Sequence, residues 1–141
     1  MDDLEKSLVD MAFEAAKHSY SPYSNFSVGA AILTASGKIY SGANIENASY
    51  GATVCAERTA ALKAVYDGEK VFKAIAVVGY HKDKSENDAI YAYPCGICRQ
   101  FLREFAAKDM KVYVAKTSNE ILSTTLEAML PHSFGPESLL D

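Results

Sequence analysis

Hydrophobic and polar positions alternate along this chain in two periods, and these periods outline its elements. Apolar side chains recur every three or four positions over 2–18, which predicts an amphipathic helix. An unbroken apolar run over 26–33 predicts a buried strand, and 39–43, after a glycine-containing turn, predicts its hairpin partner. Similar runs predict further strands over 74–80, 111–115 and, more weakly, 121–125.

Helical spacing returns in three later segments that separate these strands. We predict helices over 57–66, 99–107 and 125–129, and a polar loop over 81–89. The order of helix, hairpin, helix, strand, helix and strand predicts a mixed sheet with helices packed on it. Because helices or long connections separate the last strands, we expect those strands to be parallel. A length of 141 residues predicts a single domain, spanning 1–141.

Charge and composition narrow the classes of partner. The net charge of −4 disfavours nucleic acid and anionic membrane surfaces as partners, because both attract basic proteins. The longest apolar runs are too short to cross a bilayer, and the first residues lack the basic and apolar regions of a signal peptide. The odd count of 3 cysteines does not suit a disulfide framework. We therefore expect a cytoplasmic, reducing location.

All three cysteines fall in two short motifs. Cys55 lies two residues before Glu57, and Cys95 and Cys98 form a CxxC pair forty residues downstream of Cys55. Both motifs lie just before predicted helices, whose positive N-terminal ends favour thiolates. Three thiolates would leave the fourth position of a tetrahedral zinc ion open, which is typical of catalytic sites. Glu57 could then move the proton of a water at that position.

Other interpretations of these residues exist. A lone buried cysteine is usually a small hydrophobic residue, and a lone CxxC can be a redox pair. A closed structural zinc site would need a fourth ligand, which only His18, His81 or His132 could supply as histidine. None of these histidines adjoins the cysteines in sequence.

The motifs resemble the cytidine deaminase family, in its small homo-oligomeric branch with cysteine as the first zinc ligand. The resemblance runs from about residue 15 to the C-terminus. It is carried by Cys55-Ala56-Glu57-Arg58-Thr59-Ala60, Pro94-Cys95-Gly96-Ile97-Cys98-Arg99-Gln100, Ser21-Pro22-Tyr23-Ser24-Asn25-Phe26, Gly42-Ala43-Asn44-Ile45-Glu46-Asn47-Ala48-Ser49-Tyr50-Gly51 and Leu130-Pro131-His132-Ser133-Phe134-Gly135-Pro136. It implies a three-layer α-β-α fold with a mixed five-stranded sheet.

The resemblance also implies a reaction. One zinc ion per subunit would be held by Cys55, Cys95 and Cys98, with Glu57 as the acid and base that hydrolyses cytidine or 2′-deoxycytidine to the uridine product and ammonia. Zinc with three thiolates carries a charge of −1, which should weaken it as a Lewis acid. The helix N-termini and a cation must offset that charge. Arg58 is the preferred candidate, through hydrogen bonds to the ligand sulfurs, and Arg99 is the other.

The substrate contacts are likewise implied by the resemblance. Asn44 and Glu46 would share one face after their strand and bind the ribose hydroxyls, although an asparagine at a strand end also suits plain turn chemistry. Phe26 would pack beside the pyrimidine, and Ala56 would offer backbone groups to it. Gln100 would be supportive. The remaining two residues, Tyr50 and Phe134, would reach a neighbour's active site, which predicts a homotetramer with shared sites.

One departure from the family pattern adjoins the ligands. Tyr93 stands before Pro94, where the family usually has a small serine, so substrate preference is open. Deamination of a modified cytosine nucleoside is an alternative, which the intact Asn44-Ile45-Glu46 disfavours. A structural zinc or redox module would show a fourth protein ligand or a reversible disulfide. A polynucleotide-editing enzyme is disfavoured by the acidic charge.

Overall fold

The computed structural model describes residues 3–140 as four α-helices around one five-stranded sheet. The helices are α1 (Asp3–Ala16), α2 (Ala56–Tyr66), α3 (Gly96–Arg103) and α4 (Leu126–Met129). The strands are β1 (Phe26–Thr34), β2 (Ile39–Ala43), β3 (Phe72–His81), β4 (Ala106–Thr117) and β5 (Glu120–Thr125). Within this described range, no helix is long and apolar enough to cross a bilayer.

The strands lie in the order β2-β1-β3-β4-β5, and the sheet is mixed. β3 and β4 are parallel, as α3 between them predicts, whereas β1 is antiparallel to both β2 and β3. The expectation that the last strands are all parallel is wrong for β5, which pairs antiparallel with β4. Only Ser118 and Asn119 separate these two strands, and so short a connection can form only a hairpin.

The sheet carries a hydrophobic core on each face, which gives three layers. On one face, α1 buries Leu8, Val9 and Ala12 against the sheet. On the other face, the alanines of α2 and residues such as Leu102 of α3 and Leu126 of α4 pack on β1, β3 and β4. The predicted α-β-α sandwich with a mixed five-stranded sheet is therefore confirmed.

Element boundaries differ from the predictions most at α3 and at β4, which spans Ala106–Thr117 where the sequence predicts a strand over 111–115. The helix predicted over 99–107 begins at Gly96 and ends at Arg103, because the chain already joins the sheet at Ala106, opposite Phe72. The first helix spans Asp3–Ala16, and Asp2 lies outside the described residues. The polar loop after β3 contains a short 3₁₀ turn at Glu86–Asp88, capped by the hydroxyl of Ser85.

Gly42 allows α2 to pack directly on the hairpin of β1 and β2. A Cβ built on Gly42 would lie 2.6 Å from the backbone nitrogen of Ala60, so only glycine permits this approach. The close packing fixes the start of α2, and with it Cys55, beside the end of β2. The sugar-binding candidates after β2 and the first candidate metal ligand are thereby held near each other.

Candidate metal centre and substrate cavity

The three cysteines meet at the starts of α2 and α3. Cys55 and Cys95 occupy the N-cap positions of these helices, and neither sulfur caps the helix by a side-chain hydrogen bond. Cys98 lies one turn into α3 and is buried. The Sγ atoms of Cys55 and Cys95 are 4.0 Å apart, those of Cys95 and Cys98 are 3.5 Å apart, and all three lie within 4.8 Å of one another.

These distances suit zinc. Tetrahedral zinc with Zn–S bonds of about 2.3 Å spaces its sulfurs about 3.8 Å apart, and the observed separations bracket that value. Within residues 3–140, the group that could hold a metal consists of the three cysteines, and no histidine or carboxylate joins it. His18, His81 and His132 therefore do not complete a closed four-ligand site. Soft thiolate donors with one open position fit a catalytic zinc ion.

The electrostatics of the cluster favour thiolate. A hydrogen bond from Cys98, with further help from Arg58, lowers the pKa of the Cys55 thiol to about 5 despite partial burial. The same shared hydrogen bond raises the pKa of Cys98, so the pair keeps its proton on the buried sulfur. Because metals bind thiolate, a group that already releases its proton easily is well suited to act as a ligand.

Arg58 stands beside this cluster, as the sequence predicts. Its Nη2 donates hydrogen bonds to the Sγ of Cys55 at 3.5 Å and to the carbonyl of Thr53 at 3.2 Å. Its Nε is buried and has no hydrogen-bond partner among residues 3–140. Arg99 takes a different direction and donates to the carbonyls of Pro94 and Met129. Of the two candidate cations, Arg58 is the one that contacts a thiol.

Glu57 is buried beside the thiols, with only 3% of its surface exposed. Burial is the main cause that raises the pKa of its carboxyl to about 7, and the nearby Cys55 thiolate adds to it. A carboxyl with a pKa in this range can both accept and return protons near neutral pH. The dipole of α2 alone would have had the opposite effect, because a helix N-terminus favours the carboxylate.

A cavity of about 380 Å³ opens over the cluster. Its volume is within the range of small-molecule sites. The Cys55–Glu57 segment and Cys95 lie at one end of its wall, and Asn44 and Glu46 belong to the rest of its polar lining. The other lining residues are Ser24, Phe26, Val28, Thr53, Val77, Ile90, Ala92 and Tyr93. The cavity thus joins two of the three predicted metal ligands to Phe26, Ala56 and the two predicted sugar-binding residues, while Cys98 lies buried behind its lining.

Glu46 is held in place by the segment before β1. Its carboxylate accepts the backbone N–H groups of Tyr23 and Ser24 and the hydroxyl of Ser24. Burial opposes ionisation, but these hydrogen bonds outweigh it and lower the pKa of Glu46 below its usual range. The carboxylate is therefore charged and fixed in orientation. Ser24 belongs to the Ser21–Phe26 motif, but nothing in that motif alone predicts that Ser24 orients Glu46.

Asn44 is tied into the sheet more tightly than the sequence predicts. Its Oδ1 accepts the N–H of Val28 at 2.9 Å and the hydroxyl of Ser19 at 2.6 Å, while Nδ2 donates to the carbonyl of Phe26 at 2.9 Å. The side chain thus continues the β1–β2 ladder beyond its last pair, Gly29 and Ala43. One N–H of Nδ2 remains for a ligand, because an amide nitrogen has two donors.

Tyr50, Phe134 and Gln100 lie outside the lining of this cavity. Tyr50 is 75% exposed and lines an adjoining depression with Tyr23, whose ring centroid is 5.8 Å away. Phe134 is 58% exposed on the C-terminal segment. The side-chain amide of Gln100 donates a 2.9 Å hydrogen bond to the backbone carbonyl of Phe134, so Gln100 supports the loop that carries Phe134. The sequence could not predict that these three residues lie away from the cavity, because their positions depend on how the loops pack in the folded chain.

The C-terminal segment is anchored to α3 by a buried cation. Arg103 is 5% exposed and forms an ion pair with Glu137 and a 2.9 Å hydrogen bond to the hydroxyl of Ser133. Gly135 permits this contact, since a Cβ there would lie 2.6 Å from the guanidinium. Helix α3 therefore fixes both the CxxC thiols and the loop that carries Phe134. The sequence alone does not indicate this role of Arg103, because a charged residue on a helix is usually exposed.

A family comparison matches most of the chain. Residues 2–115 match the model described as the cytidine and deoxycytidylate deaminase zinc-binding region. A cytidine deaminase of Sporosarcina psychrophila is 44% identical over 137 residues, which cover 97% of this chain and 95% of that protein. A probable cytidine deaminase of Dictyostelium discoideum is 42% identical over 139 residues, which cover 99% of this chain and 88% of that protein.

Solved structures give the same match in three dimensions. The crystal structure of cytidine deaminase from Burkholderia pseudomallei has a TM-score of 0.81 and 38% sequence identity, and the alignment covers 95% of this chain and all of that one. The crystal structure of cytidine deaminase from Mycobacterium tuberculosis has a TM-score of 0.78 at 33% identity and covers 96% of this chain and 99% of that one.

Proposed function

Because this chain belongs to the cytidine deaminase family, we propose that it hydrolyses cytidine and 2′-deoxycytidine at C4, forming uridine or 2′-deoxyuridine and releasing ammonia. The observation that carries the proposal is the shared cavity. It joins the thiol cluster and buried Glu57 to a fixed, charged Glu46. A free nucleoside needs both ends, because its base reacts at one and its sugar hydroxyls bind at the other.

The family is zinc-binding, and the three thiols fit that metal. Cys55, Cys95 and Cys98 would hold one zinc ion per subunit. When bound, zinc supplies Lewis-acid activation of the attacking water. The donation from Arg58 to the Cys55 sulfur withdraws charge from a trithiolate site that would otherwise be too negative. The N-terminal dipoles of α2 and α3 act in the same direction.

Glu57 carries the protons of the reaction. Its carboxylate accepts a proton from the water that attacks C4 and delivers it to N3 of the pyrimidine. It then accepts the remaining proton from the hydroxyl on C4 and passes it to the exocyclic amine, the C4–N4 bond breaks, ammonia leaves, and C4 keeps the oxygen as the carbonyl of the product. The pKa of about 7 that burial gives Glu57 supports both roles at neutral pH. Water exclusion around this buried carboxyl strengthens its interactions with the charged transition state.

The remaining cavity residues would orient the nucleoside. The Glu46 carboxylate is positioned to accept a ribose hydroxyl, and its charge disfavours a phosphate in the same place. The free N–H of Asn44 would add a second contact. Phe26 would pack on the pyrimidine ring, and the backbone of Ala56, at the start of α2, would bind its amide edge.

We also propose a homotetramer whose sites are completed across interfaces. Tyr50 and Phe134 are large, exposed aromatic residues, and Gln100 and Arg103 hold the Phe134 loop in one conformation. Exposed aromatic residues on a fixed backbone are typical of interface anchors. An apolar surface formed by Leu62 and Tyr66 on α2, Phe101 on α3 and Phe105 just after α3 offers a second contact area.

The cellular setting follows from the same chemistry. The three reduced thiols are compatible with the cytoplasm, and the products fit pyrimidine salvage. The acidic chain is not expected to bind nucleic acid or membranes. We treat residues 1–141 as one catalytic domain, supported by the single sheet on which the described helices pack.

The test is ammonia release from cytidine by protein loaded with one zinc ion per chain. We expect turnover by the wild type, and a kcat lowered by a factor of about 10²–10⁴ or more in Glu57→Gln with the zinc content unchanged. Glu120→Gln, which alters an exposed glutamate on β5, is the matched control and should retain wild-type kcat. Absence of turnover by zinc-loaded wild type would refute the proposed function. Full turnover by Glu57→Gln would refute the role of Glu57.

A further inference from the structure

The segment 90–93 forms a fixed wall of the cavity. The N–H of Ile90 donates to the carbonyl of Gly79 on β3 at 3.2 Å, which ties the segment to the sheet. A Cβ built on Gly79 would lie 2.7 Å from the Cβ of Ala92 and 2.8 Å from the ring of Phe26. The wall is therefore packed directly against β3 and is continuous with Phe26. It reaches the thiols through Tyr93, which lies two residues before Cys95.

The proposed chemistry fixes which edge of the pyrimidine faces this wall. The sugar leaves the ring at N1, and the reacting carbon C4 lies across the ring from N1. The ring axis therefore runs from the Glu46 end of the cavity toward the thiols. Since Glu57 must reach N3, the N3 edge faces the start of α2. Helix α2 packs on β1 and β2, whereas the segment 90–93 is tied to β3, on the other side of β1 from β2. The opposite edge of the pyrimidine, with C5 and C6, therefore faces the segment 90–93.

The ring of Tyr93 is held in place by a neighbouring aromatic side chain. Its ring stacks on Tyr91, with centroids 6.4 Å apart and planes inclined by 28°. The Nζ of Lys116 lies 5.5 Å from the centroid of the Tyr91 ring. Tyr91 packs against the hydrophobic core and is not among the residues that line the cavity, whereas Tyr93 lines it. The stack supports one face of the Tyr93 ring, although the side chain as a whole is 53% exposed.

From this placement we propose that Tyr93 determines how large a substituent at C5 of the pyrimidine the enzyme accepts. The inference rests on the proposed function. It concerns a residue that departs from the family pattern, in which a small serine stands before the proline. The tyrosine occupies the space next to C5, so the unsubstituted base is favoured over 5-methylcytosine. A change of a single methyl group in an apolar pocket alters selectivity by about tenfold or more.

The experiment compares cytidine with 5-methylcytidine in two enzymes. We measure kcat/KM for both nucleosides in wild type and Tyr93→Ser and form the ratio of ratios, in which the electronic effect of the methyl group cancels. We expect Tyr93→Ser to raise relative activity on 5-methylcytidine about tenfold. Tyr93→Phe keeps the ring and should leave the ratio unchanged. Tyr20→Ser is the matched control, since Tyr20 has similar exposure (57% against 53%) but does not line the cavity.

The outcomes separate this inference from the function on which it rests. A wild type that fails to deaminate cytidine contradicts the function. A wild type that deaminates cytidine, with a ratio that changes less than twofold in Tyr93→Ser, overturns the inference. If Tyr93→Ser loses turnover, calorimetric affinities for uridine and 5-methyluridine give the same ratio of ratios. An unchanged binding ratio then overturns the inference as well.

Discussion

Replacing Asn44 by alanine should destabilise the fold before it affects chemistry. The substitution removes the side chain that pairs with the N–H of Val28 and the carbonyl of Phe26, both at 2.9 Å. Asn44 is 8% exposed, and the two backbone groups belong to half-buried residues at the start of β1. Each buried group left unpaired costs about 1–3 kcal/mol. Partial access of water to these groups leads us to expect a total loss of about 2–4 kcal/mol.

The measurements are urea unfolding and a thermal melt, both followed by far-UV circular dichroism at equal protein concentration and saturating zinc. For a chain of 141 residues, each kcal/mol shifts Tm by about 3 °C, so the loss corresponds to about 6–12 °C. Asn47→Ala is the matched control. Asn47 is exposed and accepts only a local hydrogen bond from Ser49, so its loss should be within about 0.5 kcal/mol.

A second variant separates packing from hydrogen bonding. Asn44→Asp keeps the size and the acceptor but replaces the donor to Phe26 with a carboxylate oxygen facing a carbonyl. It should be destabilised at neutral pH and recover partly in acid, when protonation restores a donor. Equal unfolding midpoints for Asn44→Ala and Asn47→Ala would refute the reasoning. They would mean that the hydrogen bonds of Asn44 to Val28 and Phe26 add nothing to the free energy of unfolding and that Asn44 contributes only to substrate binding.

Four further predictions concern other parts of the molecule. Gly29→Ala should prevent stable folding, because the new Cβ would lie 1.9 Å from a carbonyl oxygen of α1, whereas Gly51→Ala, with open space, should match wild type in Tm. Since hydrogen bonds lower the pKa of Glu46, its carboxylate stays charged as pH falls past the ordinary glutamate pKa of about 4.3 and loses its charge only at the lowered pKa. The ratio of the cytidine KM of Glu46→Gln to that of wild type should accordingly stay constant from pH 8 to 5, because the titration of Glu57 affects both enzymes alike, and a change in this ratio within that window would contradict the assignment. Arg103→Met should make the C-terminal segment susceptible to limited proteolysis, because it removes the contacts to Glu137 and Ser133. Glu137→Gln should be cleaved more slowly than Arg103→Met, because glutamine keeps an acceptor for Arg103. Equal resistance of Arg103→Met and wild type would exclude an anchoring role. Chelation of zinc should make three thiols per chain reactive to a thiol reagent, and one equivalent of zinc should protect all three. A thiol that stays reactive with zinc present would not be a ligand.

The sequence predicts every strand and helix of the sandwich, because the apolar period changes between elements. The strand over 39–43 matches β2 in full, and the helix over 57–66 misses only the first residue of α2. The pattern fails where two elements compete for the same apolar residues. Phe105 and Ala106 continue the helical period of α3, yet Ala106 pairs with Phe72 in the sheet. Sheet pairing is a long-range contact that local periodicity cannot reveal.

The site divides in the same way. The three cysteines and Glu57 could be located from their spacing, because helix starts and short motifs are local features. The hydrogen bonds of Asn44 to the backbone at the start of β1 could not be predicted, since they depend on where β1 lies relative to the end of β2. The direction of Arg99 also depends on α4, whose last residue supplies the carbonyl that it contacts.

The cysteines at the starts of α2 and α3 imply a trade-off between stability and chemistry. Serine or aspartate at an N-cap stabilises a helix by about 0.5–2 kcal/mol relative to a residue that cannot cap, and neither Cys55 nor Cys95 forms such a cap. A search for more stable variants of this chain would therefore tend to select serine or aspartate at these two positions. Each gain in folding free energy would remove a zinc ligand. Engineering for thermostability should accordingly hold both positions fixed and seek its improvements elsewhere.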